Sequence, residues 1–186
     1  MFTINNFKYR KAFTSDLEKI ANLVTDLLGT CNIDKNNNKV KTKKEILIDN
    51  KKEIQKDINN YYVCELNNQI IGACGISNIK IKNDYKIDLG EYREILYLVV
   101  KHEYQKQGIG TKLMHLCCDN IKEQIIYEAW GDKEDVNSKF LLEKLEFELL
   151  KDLGDTYYKD NGYCSYCINR NNNCTSCKAQ IWVKGE

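Results

Sequence analysis

Two clusters of residues in this sequence have types and spacings that could do chemistry. The first is Gln105-Lys106-Gln107-Gly108-Ile109-Gly110-Thr111. It follows the apolar run Glu94 to Val100 and opens a segment in which Ile109, Leu113, Met114, Cys117 and Ile121 recur at helical spacing. A strand that turns into a helix through two glycines is an anion site. The first helical turn carries unsatisfied N–H groups and the positive end of the helix dipole, and glycines let a ligand reach the backbone. A diphosphate is the natural guest. No Gly-Lys-Ser/Thr follows and the three-glycine dinucleotide spacing is absent, so neither nucleotide-binding loop is present. The second cluster is Cys164, Cys167, Cys174 and Cys177, spaced C-x2-C-x6-C-x2-C. Two such pairs can bring four thiolates to one point and close a tetrahedral structural zinc site. Four thiolates leave no open coordination position, so the expected Zn2+ is structural.

The stretch Glu94 to Met114, EILYLVVKHEYQKQGIGTKLM, resembles the coenzyme-A motif of the GNAT superfamily of N-acetyltransferases. The signature of that family, Gln/Arg-x-x-Gly-x-Gly/Ala, is met by Gln105, Gly108 and Gly110. The resemblance implies acetyl-CoA as cosubstrate. Backbone groups of Leu98, Val99 and Val100 would pair with its pantetheine arm. The turn Gln105, Lys106, Gln107, Gly108, Ile109, Gly110 and Thr111 would hold its pyrophosphate. In this fold the strand also splays from its neighbour at the acetyl position, exposing N–H groups that polarise the thioester carbonyl.

An amine attacks a thioester only when neutral, so a base must take its proton. The resemblance points to Glu94, on the cofactor-bearing strand, or Glu128, in the strand-like run Ile125 to Trp130. The leaving thiolate often receives its proton from a tyrosine on the helix after that strand. Here the chain departs from the family: the usual tyrosine position holds Leu142, which cannot donate. Tyr157 and Tyr158 are the substitutes, and Asn137 is a further candidate for contact with the cofactor.

These residues need elements to position them. A short strand is expected from Phe7 to Phe13, and Ser15-Asp16-Leu17-Glu18 reads as a capping box opening a first helix. Thr42-Lys43-Lys44-Glu45 reads as a second box, with a helix toward Ile58. Two β-rich runs around Asn67-Asn68 suggest a hairpin. Lys80 to Glu91 is polar and reads as a longer loop. Strand Glu94 to Val100, the helix from Ile109, strand Ile125 to Trp130, helix Val136 to Leu145, strand Phe147 to Leu153 and strand Ala179 to Lys184 complete the order. That alternation predicts an α/β protein. The whole order, residues 7 to 184, is similar to the GNAT fold, which implies one domain with a mixed, mostly antiparallel sheet flanked by helices. The cysteine cluster falls between the last two strands, as a zinc-knuckle-like insertion over 161–178 within a single domain of 1–186.

Composition narrows the setting. The 186 residues fit one domain, and 28 basic against 27 acidic residues leave a formal charge of +1. No basic excess argues for nucleic acid, and no apolar run of about 18 residues argues for a membrane span. The start of the sequence lacks the apolar stretch of a secretory signal. The expected setting is cytoplasmic, where Cys31, Cys64, Cys74, Cys117 and Cys118 act as small buried hydrophobes. The expected activity is acetyl transfer from acetyl-CoA to a primary amine, on a small-molecule or peptide acceptor, by a monomer or homodimer. The competing readings are a catalytically degenerate module that senses CoA and a zinc-ribbon nucleic-acid protein.

Overall fold

Asn67 and Asn68 both adopt positive φ, 50° and 63°, the conformation a two-residue hairpin turn requires. They join β2 (Tyr61–Leu66) to β3 (Gln69–Ile76), and Leu66 faces Gln69 across the turn. In this computed structural model, residues 6–28, 42–82, 85–131, 138–155, 157 and 177–185 are described. Their remaining elements are β1 (Lys8–Lys11), α1 (Leu17–Leu28), α2 (Lys43–Asp57), β4 (Tyr92–Val100), α3 (Ile109–Cys118), β5 (Gln124–Gly131), α4 (Lys139–Lys144), β6 (Glu148–Gly154) and β7 (Lys178–Lys184). The sheet runs β1-β2-β3-β4-β5-β7-β6. β4 and β5 are parallel; the other neighbours are antiparallel. The mixed α/β sheet with flanking helices agrees with the sequence reading, as does the element order. No helix among the described residues is long and apolar enough to cross a membrane.

Each face of the sheet has its own core, because side chains alternate along every strand. On one face α3 lays Ile109, Leu113, Met114 and Cys117 against Cys74, Ile76, Ile95 and Ala129. Leu142 and Leu145 of the α4 region join them. On the other face α1 and α2 bury Ile20, Val24 and Ile54 against Val63, Ala73, Tyr97 and Val99. Full burial of one such aliphatic side chain contributes about 1.5–3 kcal/mol. The described core thiols, Cys64, Cys74 and Cys117, sit in these layers.

Two boundary expectations change. The start of α1 is not held by the Ser15–Glu18 box: a short 3-10 turn, Thr14–Asp16, leads into it with Phe13 as its N-cap, and the Asp16 carboxylate reaches back to accept the Phe13 N–H at 2.8 Å. Glu18 instead pairs with Lys51 of α2. The helix expected over Val136 to Leu145 is described as Lys139–Lys144, since 132–137 lie outside the described residues. The second box is as expected: Thr42 and Glu45 exchange bonds, Thr42 N–H to Glu45 Oε2 at 2.7 Å and Glu45 N–H to Thr42 Oγ1 at 3.3 Å.

Candidate active site

β4 and β5 pair over four rungs, from Tyr92↔Gln124 to Ile95↔Tyr127. Beyond these rungs β4 continues against β3 and β5 continues against β7. A wedge therefore opens between Leu96–Val100 and Glu128–Gly131. An extra residue in β4 accompanies it. Cys74 faces Leu98 and Ile76 faces Ile95, so Leu96 and Tyr97 together oppose Gly75. Such a bulge bends its strand and strengthens its twist. Gly75 is required there, because a Cβ would lie 2.3 Å from the ring of the buried Tyr61.

The open edge of β4 carries backbone groups of known direction. Lys101 N–H donates to Ile71 O of β3 at 2.9 Å. The planar peptide turns Val100 C=O the opposite way, into the wedge. There the Gln105 side chain donates to it at 2.9 Å. By strand alternation the N–H and C=O of Leu98 also face the wedge, whereas those of Val99 face Ala73.

The glycine turn closes the end of the wedge. Lys106 (φ 59°) and Gly108 (φ 79°) both take the left-handed region. Residues Gln105 to Gly108 are exposed. Lys112 N–H makes the first helical bond, to Gly108 O at 3.0 Å. The N–H groups of Ile109, Gly110 and Thr111 precede that ladder and point out of the helix start. A Cβ on Gly110 would touch Leu98, Val100 and Leu141 at 3.9–4.0 Å, so its absence widens the space between β4 and α4.

The two carboxylates stand on the sheet face opposite α3. Glu94 faces Ile126 across the parallel ladder, and Glu128 lies two residues further on β5, the first position beyond the paired rungs. The Glu94 carboxylate pairs with Lys80, and its N–H donates to Ser77 Oγ at 2.9 Å. The Glu128 carboxylate accepts the phenol O–H of Tyr85. Burial first, then the negative charges of Glu128 and Glu94, push the Tyr85 pKa far above the ordinary phenol range. Tyr85 therefore keeps its proton and acts as the donor. The half-buried Tyr157 belongs to the same electrostatic neighbourhood.

A sequence profile described as the acetyltransferase (GNAT) domain matches residues 57–164, more than half of the chain. The chain belongs to the GNAT acetyltransferases. The matched span holds the β4–β5 wedge, the glycine turn and both carboxylates. Among solved structures, Naa50 of Arabidopsis thaliana in complex with the bisubstrate analogue CoA-Ac-MVNAL is similar, with TM-score 0.62 and 17% identity over 97% of this chain and 99% of that one. The NatC complex bound to Gag peptide and CoA contains a chain with TM-score 0.64 and 15% identity, over 97% and 98%. The loading GNATL domain of CurA from Lyngbya majuscula gives TM-score 0.61 and 16% identity, over 97% and 98%. At these identities the likeness is one of fold. No curated protein matches the sequence significantly.

In this GNAT chain the sequence-expected residues are not all brought together. Glu94, Glu128, Leu98, Val100 and the turn Gln105 to Thr111 line or border one wedge. Val99 stands on the same strand with its backbone turned to β3. Asn137, Tyr158, Cys164, Cys167 and Cys174 lie outside the described residues. Cys177 is buried at the start of β7, and its N–H donates to Asp155 O at 3.0 Å. The described residues contain no cluster that could hold a metal ion. Leu142 is fully buried in the core on the α3 side, so the usual tyrosine position here serves packing. Sequence reading missed Lys80 and Tyr85 because Lys80 to Glu91 is polar as a whole. The available signal was alternation: Tyr85, Ile87 and Leu89 recur every second residue, and all three pack on Tyr92, Ile126 and Ile181.

Proposed function

We propose that this chain transfers the acetyl group of acetyl-CoA to a primary amine, with Glu128 as the general base. The observation that carries the proposal is the placement of Glu128. It occupies the first β5 position past the β4–β5 ladder, at the mouth of the wedge, on the face away from the glycine turn's helix. Two similar structures hold CoA or a CoA-derived bisubstrate analogue, which supports the cosubstrate. Both also hold peptide sequences, which makes a peptide amine a reasonable first acceptor to assay beside small amines.

The chain's own groups fit an acyl-CoA. The N–H groups of Ile109, Gly110 and Thr111, with the left-handed Lys106 and Gly108 turn, suit a pyrophosphate. Gln107 belongs to that turn. Gln105 braces it by holding Val100 C=O. The outward groups of Leu98 and Val100 suit an amide-bearing arm laid along the strand. Acetyl-CoA supplies the thioester carbonyl that the amine attacks. Glu128 takes the proton that the amine must lose. The Leu98 N–H, next to the bulge, is the donor placed for the oxygen that becomes negative. Of the two substitutes for the tyrosine that Leu142 replaces, Tyr157 is the one among the described residues. Glu94, ion-paired with Lys80, is the second carboxylate and the alternative base.

The assay is mass-spectrometric turnover of acetyl-CoA over a panel of peptide and small amines. Glu128→Gln is expected to lower kcat about 10²–10⁴-fold while leaving CoA affinity intact. Full activity of Glu128→Gln together with loss in Glu94→Gln would move the role to Glu94. Binding of CoA with no turnover on any amine would favour the sensing module, a reading that no observation so far supports.

The four cysteines are read as a structural zinc site inserted within the single domain. Their donor set, four thiols in two C-x2-C pairs, fits the metal, and Cys177 is tethered and buried at its edge. A zinc ion would tie the long β6–β7 connection and supply no catalytic position. Metal analysis is expected to find about one zinc per chain. Cys164→Ser with unchanged metal content and unchanged acceptor KM would remove this reading.

A further inference from the structure

Tyr85 belongs to the connection between β3 and β4 and not to the strands that form the wedge. We propose that Tyr85 is a positioning residue for acetyl transfer: its phenol holds the Glu128 carboxylate at the mouth of the wedge, and the connection that carries it walls the amine-acceptor side. The inference rests on the assignment of Glu128 as the base.

The phenol is held from several sides, so its position is built into the fold. Lys80 N–H and O pair with Tyr92 O and N–H at 2.8 and 2.9 Å, anchoring the start of the connection. The Tyr92 phenol donates to Lys82 O at 2.6 Å. Lys151 of β6 donates to Tyr85 O at 3.0 Å. Ile87 and Leu89 pack with Tyr85 on Tyr92, Ile126 and Ile181. These contacts bring a protonated hydroxyl onto one oxygen of Glu128. A carboxylate keeps acceptor capacity on its second oxygen, so an incoming amine can still deliver its proton.

The placement also defines a boundary. α1 and α2 cover Tyr97 and Val99 on this face, and the connection covers Tyr92, Ile126 and Ile181. Glu94 and Glu128 lie between the two covers. On this reading an amine that reaches the Glu128 carboxylate meets the Tyr85 phenol beside it. In the proton balance the amine nitrogen gains a bond to the acetyl carbon and loses a proton to Glu128. The thiolate leaves, and the phenol neither gains nor loses a proton.

A donor on the ionised carboxylate favours that form, so removing it moves ionisation of the base to higher pH. Among the described residues, the groups around the Tyr85–Glu128 pair include Glu94 with its partner Lys80, Tyr157, and Lys151 on the Tyr85 backbone. Tyr85→Phe keeps the ring and removes one oxygen. The expected result is a loss of about tenfold in kcat/KM, an acid limb of the pH–rate profile moved upward, and an unchanged CoA dissociation constant. In a Glu128→Gln background the same change should cost nothing further. A wild-type rate and pH profile for Tyr85→Phe, with Glu128→Gln inactive, would overturn the role of Tyr85 alone. An equal loss from Tyr85→Phe in both backgrounds would also overturn it. Wild-type turnover in Glu128→Gln would instead overturn the base assignment, and this inference with it. Retained CoA binding shows in each case that the variant is folded.

Discussion

Asp16 is a short side chain that accepts three hydrogen bonds from two residues. Its carboxylate accepts the Phe13 N–H, and it accepts Arg10 Nη1 at 2.7 Å and Nη2 at 3.1 Å. Arg10 in turn reaches Glu65 of β2 at 2.5 Å. One guanidinium thus pins β1, the start of α1 and β2 to one another. The bonds from Arg10 hold both carboxyls below the ordinary carboxylate range. Their stabilisation is fully present above that range and is lost as pH falls through the lowered values. Denaturant titrations from pH 6 downward should show stability dropping, and Asp16→Ala should flatten that dependence. At neutral pH Asp16→Ala should cost about 1–2 kcal/mol, since it removes the acceptor for the Phe13 N–H and one of the two carboxylates held by Arg10. A cost under about 0.5 kcal/mol, the size of an ordinary surface change, would contradict this account of the corner. The same residue explains a misreading at sequence level. Ser15 and Glu18 have the spacing of a capping box, but it is the neighbouring Asp16 that accepts the Phe13 N–H, held at the same time by Arg10 of β1. Spacing alone carries no such information.

At the scale of elements, the site depends on two local departures from regularity. One is the extra residue of β4 opposite Gly75, where the ladder to β5 ends nearby. The other is the left-handed Gly108 before α3. A Cβ on Gly108 would meet nothing within 4 Å, so Gly108→Ala tests conformation without crowding. The expected cost is about 1 kcal/mol of stability from the positive φ. That corresponds to a fall of roughly 2–4 °C in Tm for a chain of this size. CoA affinity should fall as well, because relaxing φ turns the N–H groups of the turn away. Unchanged stability with unchanged CoA affinity would show that the turn needs no left-handed residue. Some elements were legible from the residues alone. The Asn67-Asn68 turn names its own hairpin, the Thr42–Glu45 box names its helix, and the two glycines mark the turn into α3. The bulge was not legible, because Leu96 and Tyr97 look like any strand pair. Nor was the need for glycine at position 75, which is long-range: Gly75 makes room for the Tyr61 ring on the neighbouring strand.

At the scale of the molecule, the two faces of the sheet divide the work. α3 and its glycine turn serve one face of the wedge. α1, α2 and the β3–β4 connection frame the carboxylates on the other. This division explains why so much of the cofactor side could be read from sequence and so little of the acceptor side. A pyrophosphate site is local, six or seven consecutive residues around a helix start. The proposed acceptor site is assembled from Glu94, Glu128, Lys80 and Tyr85, on three segments that only the sheet brings together. Leu142 shows the limit from the other side. Its spacing marks the usual place of a proton donor, but its burial in the α3 core commits it to packing.

The central claim is that the β4–β5 wedge and the glycine turn grip an acyl-CoA. Calorimetric titration of the folded protein with CoA tests it most directly, beside a parallel titration with the pantetheine arm lacking the pyrophosphate. The account predicts saturable one-to-one binding of CoA and much weaker binding of the truncated arm. No measurable heat with CoA, or equal affinity for both, would contradict it.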